Sequence, residues 1–74
     1  MKLKEYLHKK IKLKDKEGYI WFGKVFTYTK ADDNPNGNFA EIDLDVESTN
    51  KGQEYSNELI TFTENEIVEI EEIK

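Results

Sequence analysis

Gly18-Tyr19-Ile20-Trp21-Phe22-Gly23-Lys24-Val25-Phe26-Thr27-Tyr28-Thr29 (residues 18–29) decides how this chain folds, because it holds the only tryptophan, two of the four phenylalanines and two of the four tyrosines. Aromatic and β-branched side chains at this density fit a pleated, half-buried surface, so the stretch reads as one long strand. Gly23 sits in its middle. A glycine there weakens a flat strand but permits a sharp bend or a close backbone approach, which a strand serving both walls of a small barrel requires. The apolar start, Tyr19 to Phe22, does not alternate, so one of its faces meets another subunit or the N-terminal segment. In a regular strand Trp21 and Phe22 point to opposite faces, one into the core and the other into a bend or an interface.

Working outward, Ile11 and Leu13 alternate with Lys10, Lys12 and Lys14, a period of two that predicts a strand over residues 9–14 with a lysine-lined outer face. Asp15 to Gly18 supplies the turn into the central strand. Upstream, Leu3, Tyr6 and Leu7 share one helical face, which predicts a short helix over residues 2–7, too short to stand without docking. Downstream, residues 31–38 are a loop by composition. Phe39, Ala40, Ile42, Leu44 and Val46 then set against Glu41, Asp43, Asp45 and Glu47 a third strand with an acidic outer face. Ser48 to Gln53 reads as a turn and Tyr55 to Phe62 as a fourth strand. Thr63 to Glu66 reads as a single turn in which Thr63 caps and Glu66 answers it, and residues 67–73 as the last strand. The expected fold is all-β with a short N-terminal helix, its five strands closing into a barrel that hides the sheet edges.

The totals narrow the possibilities. Seventy-four residues make one domain, at a size where a lone core rarely supplies more than about 3–5 kcal/mol. The chain has no cysteine, so disulfides, thiol chemistry and thiolate metal sites are excluded and self-association is the expected support. No apolar run approaches a membrane span and the N-terminus lacks the apolar core of a signal peptide, which places the expected protein in the cytoplasm. The net charge of −5 opposes general nucleic-acid binding. The charge is polarised, however: residues 1–16 carry seven lysines against Glu5 and Asp15, and residues 41–72 carry eleven acids against Lys51 alone. Such a molecule can attract copies of itself or offer one basic face to an anionic partner. All eleven basic residues are lysine, so no guanidinium fork is present for sequence-specific readout.

Strand order and one spacing resemble the Sm-like (LSM) family of SH3-like barrels, which generally assemble into rings; the chain would be a divergent, bacterial-type member. The family's first motif is matched by Ile11, Leu13, Asp15, Gly18, Gly23, Val25 and Tyr28. Its second is matched by Ile60, Phe62, the turn at 63–66, Ile67 and Ile70. The resemblance implies a five-stranded SH3-like barrel, with the edges of the last two strands meeting neighbouring subunits; the candidate interface residues are Ile60, Phe62, Ile67, Val68 and Ile70, joined by Phe22 as an aromatic anchor from the central strand. For RNA it offers Tyr28, Thr29, Asn34 and Asn65 beside the lysine face of Lys9, Lys10, Lys12 and Lys14. The departures fall on that RNA site. Where RNA-binding members place aspartate after the aromatic and asparagine four residues later, this chain has Thr29 and Asp33. Their arginine and glycine in the second motif correspond to Thr63 and Glu64. A pocket built to hold a base through a guanidinium and an amide here presents a hydroxyl and a carboxylate.

Other candidates weigh less. Asp32, Asn34, Asn36 and Gly37 occupy the first, third, fifth and sixth positions of a calcium-binding loop, with Asp43 at the twelfth. Pro35 is awkward inside such a loop and both flanks read as strands where helices are needed, so a plain Asx-rich turn is the favoured reading. His8 is the only histidine, so no histidine triad or multi-histidine metal site fits within one chain. Carboxylates projecting from an outer strand face meet nothing that would tune them for catalysis, and no enzyme activity or cofactor is expected. The reading that results is a non-enzymatic Sm-like oligomer that binds RNA weakly through its lysine face. Its alternative is a protein-interaction or structural module of SH3-like fold without nucleic-acid binding.

Overall fold

A computed structural model describes residues 2–35 and 37–74. Five antiparallel strands form one sheet: β1 (Lys10–Asp15), β2 (Ile20–Thr29), β3 (Glu41–Thr49), β4 (Leu59–Thr63) and β5 (Ile67–Glu72), in the spatial order β4-β3-β2-β1-β5. The central stretch is the longest strand and pairs with both β1 and β3. No helix among the described residues is long and apolar enough to cross a membrane.

The connections force the sheet to roll. β4 and β5 are its two outer strands, yet only the three residues Glu64–Glu66 separate them in sequence. In a flat five-stranded sheet the outer strands lie roughly 19 Å apart, whereas the chain from Thr63 to Ile67 spans at most about 14 Å. Three bulges supply the bend, each leaving one residue without a partner: Phe26 in β2, Glu47 in β3 and Val68 in β5. Gly23 lies beside the β3 bulge. A methyl group there would overlap the Asp45 carbonyl oxygen and stand 3.1 Å from the Val46 Cα, so this is the close backbone approach expected of it. The curling stops short of closure. No ladder joins β4 to β5 among the described residues, so the sheet is open, and the closed barrel expected from the sequence is corrected to a rolled sheet with two free edges.

Three local expectations also change. The N-terminal helix is a single 3-10 turn, Leu3–Tyr6, which buries Leu3 against the sheet. Six residues with only three apolar side chains, Leu3, Tyr6 and Leu7, nucleate no more than that. Gln53–Tyr55 is a 3-10 turn too, so the fourth strand starts at Leu59 and not at Tyr55. The third strand starts at Glu41, which leaves Phe39 outside it and exposed. By contrast the 63–66 turn forms as its sequence prescribes: the Thr63 N–H and hydroxyl both donate to Glu66 Oε1, at 2.9 and 2.8 Å.

The core consists of Leu3, Ile11, Leu13, Trp21, Val25, Ala40, Ile42, Leu44, Val46, Phe62 and Ile67, all on the concave side. Trp21 is its centrepiece. Its ring meets those of Tyr55 and Phe62 edge-on, at centroid distances of 5.3 and 5.1 Å, the arrangement that aromatic quadrupoles favour. Its indole Nε1–H donates to Asp15 Oδ2 at 2.9 Å, and Asp15 Oδ1 accepts from the N–H groups of Glu17 and Tyr19. One buried carboxylate therefore satisfies the polar tip of the core tryptophan and ties down the β1–β2 turn, which Gly18 completes at φ +93°.

Candidate functional site

β4 is the strand with the least protection. Its five residues, Leu59-Ile60-Thr61-Phe62-Thr63, contain no charge and no proline, and natural edge strands are usually guarded by one or both. Register sets its two faces. Phe62 lies opposite Ile42 and enters the core, so Leu59 and Thr61 face outward opposite Asp45 and Asp43. Leu59 is 52 % exposed. The other free edge, β5, is guarded by Glu69, Glu71 and Glu72 and by the bulge at Val68, itself 54 % exposed.

Of the candidate interface residues, Val68 is therefore exposed on an edge, while Ile60, Ile70 and Phe22 are half-buried. Phe62 and Ile67 belong to the core and offer no surface. Leu59 was not singled out from the sequence, although period two gives it: once Phe62 points inward, Leu59 must point out.

The lysine row is real but not isolated. Lys10, Lys12 and Lys14 share the convex face of β1, as their alternation predicts. On the neighbouring β5, Glu71 stands opposite Lys12 and Glu69 opposite Lys14. Ion pairs join Lys9 to Glu72 (3.5 Å), Lys10 to Glu47 (3.2 Å) and Lys12 to Glu71 (4.0 Å). Exposed pairs of this kind add little stability, yet they do cancel the field that phosphates would need. A shallow groove between the strands is lined by Lys12, Lys14, Glu69, Ile70 and Glu71, of mixed sign throughout.

The remaining nucleic-acid candidates lie toward the end of β2, linked through Glu41, which stands opposite Thr29 and Thr63 and accepts from Asn34. Tyr28 packs on the edge of the core and lines an open cleft of about 570 Å³ with Leu3 and Ala40 and with the charged residues Lys2, Lys4, Glu5 and Glu64. The Glu64 N–H donates to the Ala40 carbonyl at 2.8 Å, which brings the 63–66 turn, and with it the exposed Asn65, toward the end of β2. Thr29 ends β2 opposite Glu41. Asn34 is buried, and its amide donates to the Phe39 carbonyl at 3.0 Å and to Glu41 Oε1 at 2.6 Å, so it serves the loop it belongs to.

The calcium-loop spacing fares no better. Asn36 lies outside the described residues, and Asp32 sits in a 3-10 turn, Ala31–Asp33, between two strands. Asp43 accepts hydrogen bonds from the hydroxyls of Thr27 (2.7 Å) and Thr61 (2.5 Å), a cross-strand row on the convex face. No group of three or more His, Cys, Asp or Glu residues is placed to hold a metal among the described residues. Comparison with protein-family models, with curated proteins and with solved structures finds no match for the chain.

Proposed function

We propose that this protein is a non-enzymatic assembly module of the SH3-like, Sm-like kind, working in the cytoplasm, whose copies join through the free edges of their rolled sheets. The observation that carries the reading is the contrast between those edges. β4 is uncharged with Leu59 exposed, and β5 carries three acids. Two β5 edges would oppose glutamates to glutamates, which is unfavourable. A β4 edge against a β5 edge sets no like charges together and satisfies the open backbone groups of both. Such a contact uses different surfaces on the two partners, and repetition with a closing rotation yields a ring. The ion pairs that engage Lys9, Lys10 and Lys12 favour this protein-assembly reading over one centred on RNA.

Light scattering of the purified chain tests it. The expected mass is a multiple of the 8.7 kDa chain mass, reduced to the single-chain value by Thr61→Pro, which removes a backbone donor from β4, or by Leu59→Lys. A wild-type chain that stays at 8.7 kDa through micromolar concentrations refutes the proposal.

A further inference from the structure

Lys51 lies in the turn after β3 with its ammonium over two aromatic rings at once, 5.3 Å from the centroid of Tyr19 and 5.4 Å from that of Tyr55. The backbone beneath it is fixed. Asn50 Oδ1 accepts from the Ile20 N–H at 2.9 Å, the Asn50 N–H donates to the Ile20 carbonyl at 3.3 Å, and the Thr49 hydroxyl donates to the same carbonyl at 2.7 Å. The Lys51 N–H then donates to Thr49 Oγ1 at 3.2 Å. These bonds clamp the turn onto the residue that follows Tyr19. Tyr55 meets the Trp21 ring edge-on, and both tyrosines are partly buried against the core.

On the Tyr55 side a cleft of about 160 Å³ opens, lined by Trp21, Tyr55 and Phe62, by the carboxylates of Glu17 and Glu66, and by Lys16 and Lys51. Aromatic faces with nearby carboxylates are the chemistry that recognises an organic ammonium. The charge of the whole molecule, −5, attracts a cation as well.

We propose that Tyr19 and Tyr55 form a recognition site for an alkylammonium group, of the kind carried by a lysine or N-methylated lysine side chain, and that Lys51 occupies it in cis. Lys51 is the chain's own sample of the ligand. An exposed cation–π contact is weak, so Lys51 holds its place only about two- to five-fold over release. Methylation of a competing ammonium lowers its cost of leaving water, which lets it displace a primary amine from aromatic faces. Tyr19, Tyr55 and Lys51 all lie outside β4 and β5, so the site is distinct from the assembly edges, although Ile60 and Phe62 of β4 line the adjoining cleft.

The test is a titration followed by NMR with choline and with its neutral carbon isostere, 3,3-dimethylbutanol. Choline is expected to shift the resonances of Tyr19, Tyr55 and Lys51 saturably, and the isostere to do so far less. Lys51→Ala should tighten choline binding about two- to five-fold, and Tyr19→Leu should abolish it. Tyr19 lacks the packing of Tyr55 on Trp21, and retention of the amide spectrum in Tyr19→Leu separates loss of the site from loss of the fold. Equal binding of choline and the isostere overturns the proposal, as does the absence of localised shifts in Lys51→Ala at millimolar choline. A chain found monomeric by light scattering but binding choline this way keeps this inference while the assembly reading fails.

Discussion

Asp15 is the polar residue on which the core most depends, and its removal gives the sharpest test of how this fold is held. Its carboxylate is 7 % exposed and accepts from the Trp21 indole and from the N–H groups of Glu17 and Tyr19, all at 2.9–3.0 Å. Asp15→Asn keeps an oxygen that can serve the two backbone donors. Its amide nitrogen then faces the Trp21 Nε1–H, donor against donor, inside a core where Trp21 is 2 % exposed. Leaving a buried donor unsatisfied costs about 1–3 kcal/mol, and the lost charge weakens the other two bonds. The expected destabilisation is therefore about 2 kcal/mol, which for a domain of this size lowers Tm by roughly 8–16 °C. Asp15→Ala removes all three acceptor contacts and is expected to cost about 3 kcal/mol or more, enough to unfold most of a chain this small. Thermal and urea unfolding of the two variants measures both. Trp21→Phe supplies the control: in that background the indole donor is gone, and Asp15→Asn should cost about 1 kcal/mol less than it does in the wild type. An Asp15→Asn variant within about 0.5 kcal/mol of wild type, or a double variant showing strict additivity, would refute the reasoning.

Gly23→Ala is expected to lose about 2–3 kcal/mol, because the added methyl meets the Asp45 backbone and not a movable side chain; urea midpoints check this, and a neutral result would mean that β2 does not need the close approach. Thr63→Ala removes one partner of the reciprocal cap with Glu66 and should cost about 1 kcal/mol by the same measurement. Lys12→Ala should change stability by less than about 0.5 kcal/mol, since its partner Glu71 is exposed and their contact is 4.0 Å. Leu44→Ala, at a fully buried position in β3, is expected to cost about 2–5 kcal/mol and to leave little folded protein at 37 °C.

What could be read from the sequence follows the physics of each signal. Strict alternation in Ile11–Leu13 and in Ile42–Leu44–Val46 fixes faces without ambiguity, because a slip of one residue would expose the whole set. The turn at Thr63–Glu66 is legible for the same local reason, a cap whose two partners are three residues apart. The N-terminal turn and the segment Gln53–Tyr55 mislead because each is too short for its own pattern to decide. Tertiary contacts settle them: Leu3 docks as part of a 3-10 turn, and Tyr55 turns toward Trp21 and is not carried along a strand.

The site is less legible than the fold, since its elements are defined by what lies across the sheet. A row of lysines reads as a basic face until the register sets Glu69 and Glu71 opposite Lys14 and Lys12, a pairing of residues more than fifty positions apart. Part of the chain's polarised charge is thus matched within the molecule, its basic first strand laid against its acidic last one. That arrangement leaves β4, the one strand with no charge, as the surface where exposed backbone and an exposed leucine coincide. An uncharged edge of that kind is what the proposed contact between copies would cover, and against β5 of a second copy it sets no like charges together.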